Sequence, residues 1–190
     1  MYKLCVTEKS ARNQVALEQA FLRLSLSRRY DDITITDICQ EAGLSRKVYY
    51  RLFENKNDVL YALIDHTLGG LEAYEPDMEP LHRFCRYWKE QRLLLDALDL
   101  TQCNALLLER AIRFVLNYNP SSLTDIYPDL LSWNRTTQVF LIAGLFGAML
   151  DWHARGFDLS VEEVSRSLEA LLTTRLHARQ PADPEDRPFN

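Results

Sequence analysis

The sequence predicts an all-α fold, and three observations support this class. Six glycines and seven prolines, 13 of 190 residues, leave few points that interrupt a helix. Apolar residues recur every three or four positions over most of the chain, which is the spacing of one buried helix face. No segment shows a convincing strand pattern. The hydrophobic share of 47% and the charged share of 26% are typical of a globular protein and too apolar for a disordered one.

The N-terminal third predicts four helices with defined ends. Thr34 followed by Asp37 is a variant of the capping box, and Gly43 ends the second helix because glycine tolerates positive φ. Ser45 is suited to cap the third helix, and Asn55 to open the fourth. In the first helix one apolar stripe consists of Leu17, Ala20, Phe21 and Leu24. The predicted helices cover residues 8–28, 35–42, 46–53 and 56–71.

The chain then breaks and returns to helical patterning. The stretch EAYEPDMEP contains two prolines and four acids, which indicates a linker. The last eleven residues, QPADPEDRPFN, hold three prolines and predict a disordered tail. Turns are predicted at 119–122 and 155–158. Further helices are predicted over residues 80–98, 102–118, 130–155 and 160–178.

The formal net charge of −5 is unevenly distributed. Residues 1–60 carry ten Lys/Arg and eight Asp/Glu, a balance of +2, whereas residues 61–190 carry twelve and nineteen, a balance of −7. This difference indicates different tasks for the two parts. The longest apolar run, Val139 to Leu150, has twelve residues, short of the roughly 20 that span a bilayer. The N-terminus is polar, so we expect a cytoplasmic protein. The four cysteines lack zinc-finger spacing, so we expect free thiols.

Two short predicted helices joined by Gly43-Leu44-Ser45 form a helix-turn-helix pattern, in which the second helix can lie in the major groove of DNA. One face of this second helix carries Val48, Tyr49, Leu52 and Phe53. The opposite face carries Arg46, Lys47, Tyr50 and Arg51. From Leu44 to Lys56 there are four cations and one acid, a local charge of +3. A phosphate-lined groove favours such a face, although similar helix pairs occur in domains that do not bind DNA.

The run ITITDICQEAGLSRKVYYRLFENKNDVL, preceded by a helix ending in AFLRL, resembles the N-terminal domain of TetR/AcrR-type transcriptional regulators. The shared order is a Thr opening helix two, an Ala-Gly pair closing it, a Ser opening helix three, then Tyr50, Phe53 and Lys56. The resemblance covers about residues 8–68. Lys47 departs from it, because the family often has a small residue there. Arg51-Leu52 departs too, because an aromatic residue and a histidine are frequent there, so no operator sequence is implied.

The resemblance implies that double-stranded DNA is the partner of this surface. It implies base or groove contacts from Thr36, Arg46, Lys47 and Arg51. It implies phosphate contacts from Thr34, Ser45, Tyr50 and Lys56. Tyr49 matches a position that the family usually fills with an aliphatic core residue. The predicted organisation is a three-helix helix-turn-helix DNA-binding domain at 1–56, a connecting helix and linker at 57–79, a helical regulatory and dimerisation bundle at 80–178, and a tail at 179–190.

The last two predicted helices carry a surface that can pair with another helix. In the last helix Val161, Val164, Leu168 and Leu171 repeat at 3-4-3 spacing, and in the helix before it Gly144 and Gly147 permit close approach. From the residues alone, this seam could close the subunit's own core or form a four-helix dimer interface. The resemblance favours a homodimer, because such regulators generally dimerise there and paired half-sites require two copies. The candidate interface residues are Leu141, Leu145, Ala148, Val161, Val164, Leu168 and Leu171.

A ligand pocket is the usual use of this bundle in the family. A mostly apolar set with a few polar anchors would line it, although residues of this kind are more often ordinary core than ligand contacts. The candidates are Phe84, Tyr87, Trp88, Asn104, Leu107, Arg110, Phe114, Tyr118, Trp133 and Phe140. A small apolar or amphipathic effector would then shift the dimer between a DNA-competent form and a form with altered spacing.

Enzymatic and metal-dependent functions have no positive support. No GxSxG, P-loop or GxGxxG motif occurs, and the four histidines lack metal-site spacing, so no cofactor is predicted. The resemblance implies a transcriptional regulator, most often a repressor in this family, that binds a pseudo-palindromic operator as a dimer. The alternative is a TetR-like activator or coactivator that acts through a ligand or a protein partner.

Overall fold

The computed structural model describes residues 7–118, 124–126 and 132–177, with side chains as far as Leu172. Over these residues the chain is helical and contains no β-strand, which confirms the predicted class. The predicted turn at 119–122 and the predicted tail at 179–190 lie outside the described residues. The helices are α1 Glu8–Ser25, α2 Ile35–Glu41, α3 Arg46–Leu52, α4 Lys56–Ala73, α5 Pro80–Glu90, α6 Arg92–Leu100, α7 Asn104–Tyr118, α8 Arg135–Ala154 and α9 Val161–His177.

Local side-chain interactions define the helices around the predicted helix-turn-helix. The Thr34 hydroxyl accepts a hydrogen bond from the Asp37 amide at 3.1 Å, and the Asp37 carboxylate accepts one from the Thr34 amide at 2.9 Å, which completes a capping box. Gly43 ends α2 with a φ of 65°, in the left-handed region that glycine tolerates. Ser45 then caps α3. Before α2, a single 3-10 turn occupies Tyr30–Asp32.

Some predicted helix boundaries are wrong. α1 ends at Ser25 rather than near residue 28, and α8 begins at Arg135 rather than near residue 130. The helix expected over 80–98 is broken at Gln91 into α5 and α6. A continuous helix would place Gln91 between Trp88 and Leu95 on the buried stripe. The backbone at Gln91, with φ −82° and ψ 21°, departs from helical geometry, so both apolar neighbours are fully buried while Gln91 stays partly exposed.

One continuous apolar core includes residues from both the N-terminal and the C-terminal helices. In the N-terminal part, α1 packs against α2, α3 and α4. α1 also contacts α6, and α4 contacts α7. In the C-terminal part, α5 packs against α6, α8 and α9, and α7 packs against α8. Phe84, Trp88 and Phe146 form an aromatic cluster there, with ring centroids 5.3 to 6.4 Å apart. Among the helices described, none is long and apolar enough to cross a lipid bilayer.

Candidate nucleic-acid interface

One side of α3 is buried against the N-terminal core. Tyr49, Leu52 and Phe53 are buried and Val48 is half-buried, so the face predicted to be apolar does lie inside. The Tyr49 hydroxyl donates to the Asn55 carbonyl oxygen at 3.0 Å, and burial raises the pKa of this phenol. A tyrosine is therefore accommodated in the core because its one polar atom has a partner.

The opposite side of α3 faces solvent. Its four predicted contact residues are all exposed: Arg46, Lys47, Tyr50 and Arg51. The Arg46 guanidinium donates from Nη2 to the Tyr50 hydroxyl at 3.2 Å and lies 5.8 Å from the centroid of its ring. No acidic residue occurs within α3. This cationic face of α3 therefore presents positive charge and a phenol hydroxyl, groups that bind phosphate oxygens and base edges.

The predicted serine and threonine contacts lie at the starts of α2 and α3. Thr34 and Ser45 are the N-cap residues, Thr36 is in the first turn of α2, and all three are exposed. Thr34 Oγ1 also donates to Asp37 Oδ2 at 2.6 Å, and these hydrogen bonds hold the pKa of Asp37 below its usual value. The other Asp37 oxygen lies 3.4 Å from Arg28, a pair that capping patterns alone do not predict.

Lys56, the last predicted DNA contact, begins α4 and is only partly exposed. Its ammonium donates to the Tyr30 carbonyl oxygen at 2.5 Å and lies 4.0 Å from the centroid of the Tyr30 ring. The Tyr30 hydroxyl donates to Asn57 Oδ1. Sequence reasoning missed Tyr30 because its surroundings indicate only a break between helices, and its partner Lys56 is 26 positions away.

Two consecutive residues of α4, Asp65 and His66, make polar contacts with α7 and α1 respectively. His66 Nδ1 lies 2.7 Å from an oxygen of buried Glu18 on α1, and this hydrogen bond raises the pKa of His66. Gln14 donates to the other Glu18 oxygen at 2.9 Å. On the α7 side, Arg110 Nε donates to Asp65 Oδ1 at 2.8 Å. Neither pair has a sequence signal, because the partners are 48 and 45 positions apart.

The ten predicted ligand contacts are spread between the core and the surface. Those buried in the core are Phe84, Tyr87, Trp88 and Leu107. Those partly buried are Asn104, Arg110, Phe114 and Trp133. Tyr118 and Phe140 are 73% and 69% exposed. Arg110 already binds Asp65, whereas the buried indole N–H of Trp88 has no hydrogen-bond partner among the described groups.

The predicted dimer residues are likewise divided between the protomer's own core and its surface. The buried members are Leu141, Leu145 and Val164. The partly buried members are Ala148, Val161 and Leu168. Leu171 is 57% exposed. On α8 the neighbouring exposed residues are Phe140, Gly144 and Gly147, which follow one another at helical spacing along one face.

Burial limits the chemistry of the described cysteines. Cys39 and Cys85 are buried and Cys103 is partly buried. Burial raises the pKa of the Cys85 thiol to about 12, so at neutral pH it is protonated and a poor nucleophile. Within residues 7–118, 124–126 and 132–177, no group of three or more His, Cys, Asp or Glu side chains is arranged to hold a metal ion.

Several solved structures of transcriptional regulators share this fold. A TetR transcriptional regulator from Streptococcus agalactiae 2603V matches with a TM-score of 0.61 at 18% identity, over 86% of this chain and 94% of that one. A candidate TetR-family regulator from Syntrophomonas wolfei str. Goettingen matches with a TM-score of 0.62 at 14% identity, over 91% of this chain and 99% of that one. The dihydroxyacetone kinase operon activator DhaS matches with a TM-score of 0.59 at 18% identity, over 89% of this chain and 98% of that one. No protein-family model and no curated protein matches the sequence. The chain thus has the fold of the TetR-family regulators.

Proposed function

We propose that this protein is a TetR-like transcriptional regulator that binds a pseudo-palindromic DNA operator as a homodimer in the cytoplasm. The observation that carries the proposal is the cationic face of α3, which lies opposite a buried face in a helix-turn-helix. Three cations and one phenol project from two turns of helix, whereas the chain as a whole carries a net charge of −5. Because DNA affinity depends on local phosphate neutralisation, this concentration of charge outweighs the overall balance.

The proposed contacts follow from chemistry and position. Arg46, Lys47 and Arg51 would bind guanine edges or phosphates, and Tyr50 would donate to a phosphate while it orients Arg46. Thr36 would reach the groove from the first turn of α2. Ser45 would add hydroxyl and helix-terminal N–H contacts to phosphates. Thr34 would donate its hydroxyl to a phosphate in exchange for the hydrogen bond that it now gives to Asp37.

The test begins by selecting bound fragments from genomic DNA, which supplies an operator duplex. Its affinity is then measured by fluorescence anisotropy over a range of salt concentrations. Replacing both Arg46 and Lys47 with Ala should weaken binding and reduce the salt slope by about 0.9 for every phosphate that the variant no longer neutralises. The matched control replaces the exposed Arg86 and Arg113 with Ala, which removes the same charge away from α3. Wild-type protein that binds no duplex, or binds without salt dependence, would sink the proposal.

Dimerisation is proposed through α8 and α9. The candidate residues already buried in the protomer would support this surface. The second copy would contact Leu168 and Leu171 on α9 and the exposed Phe140, Gly144 and Gly147 on α8. Replacing Leu171 with Glu should then yield monomers in analytical ultracentrifugation. Leu93 on α6 is a matched control, because it is 58% exposed against 57% for Leu171. An unchanged mass for Leu171→Glu, or an equal effect of Leu93→Glu, would exclude this interface.

Modulation by a small apolar or amphipathic effector is the remaining part of the proposal. It is supported by the aromatic cluster around Trp88, where an unpartnered buried N–H could donate to a ligand oxygen. A thermal-shift screen of apolar carbonyl compounds should find one that stabilises wild-type protein, stabilises Trp88→Phe less, and alters operator affinity.

Repression is the proposed outcome of operator binding. An activator is the alternative, favoured if a promoter fragment is transcribed more strongly when the protein is added.

A further inference from the structure

Tyr30 makes contacts through its ring, its hydroxyl and its backbone with other elements of the N-terminal domain. Its ring packs edge-on against Phe21 of α1, with centroids 6.2 Å apart. Its hydroxyl donates to the Asn57 side chain, and its carbonyl oxygen accepts from the Lys56 ammonium at 2.5 Å. The same ammonium lies 4.0 Å from the centroid of the Tyr30 ring. The first two residues of α4 are therefore both attached to one tyrosine.

These contacts restrict the Lys56 side chain without covering it. An ammonium has three N–H donors, of which the Tyr30 carbonyl takes one and the electron-rich ring face attracts the charge. Lys56 remains partly exposed, and the Tyr30 carbonyl leaves two of its three N–H donors for other acceptors. Burial raises the pKa of the Tyr30 phenol, so its hydroxyl stays protonated and continues to donate to Asn57. The lysine is thus held in one orientation at the start of α4.

We propose that Tyr30 is a positioning residue of the operator-binding surface, which holds the Lys56 ammonium ready to receive a DNA phosphate. The inference rests on the proposed function. A free lysine must lose side-chain freedom when it binds a phosphate, whereas the contacts with Tyr30 already restrict the Lys56 side chain. Removing the ring should therefore weaken operator binding by about three- to tenfold, the range expected for immobilising one long side chain.

The experiment is a double-mutant cycle on operator affinity at several salt concentrations. Lys56→Met should weaken binding and reduce the salt slope by about 0.9, the value for one phosphate left without its cation. Tyr30→Leu should weaken binding about three- to tenfold with the slope unchanged, because Lys56 still reaches the phosphate. In the Lys56→Met background, Tyr30→Leu should cause no further loss. Tyr30→Phe retains the ring and the carbonyl and should bind within about twofold of wild type.

Two controls separate positioning from general damage. Tyr61→Leu removes another tyrosine that lies beneath a cation, 5.0 Å from the Arg110 guanidinium, and its effect should be the same with or without Lys56. Thermal unfolding confirms that each variant is folded at the binding temperature. Equal losses from Tyr30→Leu in both backgrounds, or an unchanged salt slope for Lys56→Met, would overturn the inference. Wild-type protein that binds no duplex would instead refute the proposed function.

Discussion

Replacing Arg110 with Gln would test the contact between α4 and α7. The Arg110 guanidinium donates to both oxygens of Asp65, from Nε at 2.8 Å and from Nη2. It also lies 5.0 Å from the centroid of the Tyr61 ring on α4. The Arg110 and Asp65 side chains are 22% and 18% exposed, so most of each is removed from water. Loss of either partner leaves the other charge partly buried with fewer hydrogen bonds.

The exposure of the pair sets the expected magnitude. Fully exposed ion pairs contribute about 0–1 kcal/mol, whereas removing one partner of a buried pair costs about 3–5 kcal/mol. At roughly one-fifth exposure, we expect Arg110→Gln or Asp65→Asn to lower the free energy of unfolding by about 2 kcal/mol. The double variant should lose about 2–2.5 kcal/mol rather than the sum, because it leaves no unpaired charge behind. The coupling energy would then be about 1.5–2 kcal/mol.

Urea unfolding followed by circular dichroism measures these differences. Arg113, on the same helix, provides a matched control: its guanidinium lies 2.9 Å from Glu109, and the two side chains are 66% and 55% exposed. Arg113→Gln should change the free energy of unfolding by less than about 0.5 kcal/mol. The reasoning is refuted if the two arginine variants lose equal stability, or if the Arg110 and Asp65 losses add.

Two further measurements concern α4. A Cβ at Gly70 would lie 2.6 Å from the Tyr87 hydroxyl oxygen, whereas a Cβ at Gly69 would have nothing within 4 Å. Gly70→Ala should therefore unfold in urea with a free energy about 1–2 kcal/mol lower than that of Gly69→Ala, and equal free energies would contradict this. The Glu18 hydrogen bond raises the pKa of His66 in the folded state, so its stabilisation is complete below about pH 6.5 and is lost as pH rises through the folded pKa. The stability difference between wild type and His66→Gln should therefore shrink as the pH rises above about 6.5, and parallel profiles would exclude this linkage.

The features that sequence alone predicts correctly are those set by near neighbours in the chain. Thr34 and Asp37 are three residues apart, so their spacing is sufficient to indicate a capping box. Gly43 ends α2 through its own backbone freedom. The division of α3 into a buried and an exposed face follows from helical periodicity within seven residues. In each case the physical cause lies inside one or two helical turns.

The features that sequence does not predict depend on contacts between distant segments. Arg110 is a plausible polar anchor in the sequence of α7, and only the packing of α7 against α4 brings it to Asp65. The sequence predicts Lys56 as a phosphate contact without any partner in the protein, and the 3-10 turn before α2 brings Tyr30 to it. The break at Gln91 has a similar cause, because it depends on which side of α5 and α6 the rest of the core covers.

These distant contacts give α4 a position that the helix-turn-helix pattern does not reveal. Consecutive helical residues project about 100° apart, so Asp65 and His66 face different neighbours, α7 and α1 respectively. Rotation of α4 towards one partner would lengthen its hydrogen bond to the other. At its start, α4 is also bonded to Tyr30. A shift of α7 would therefore either move α4, which begins four residues after the end of α3, or break one of these polar pairs.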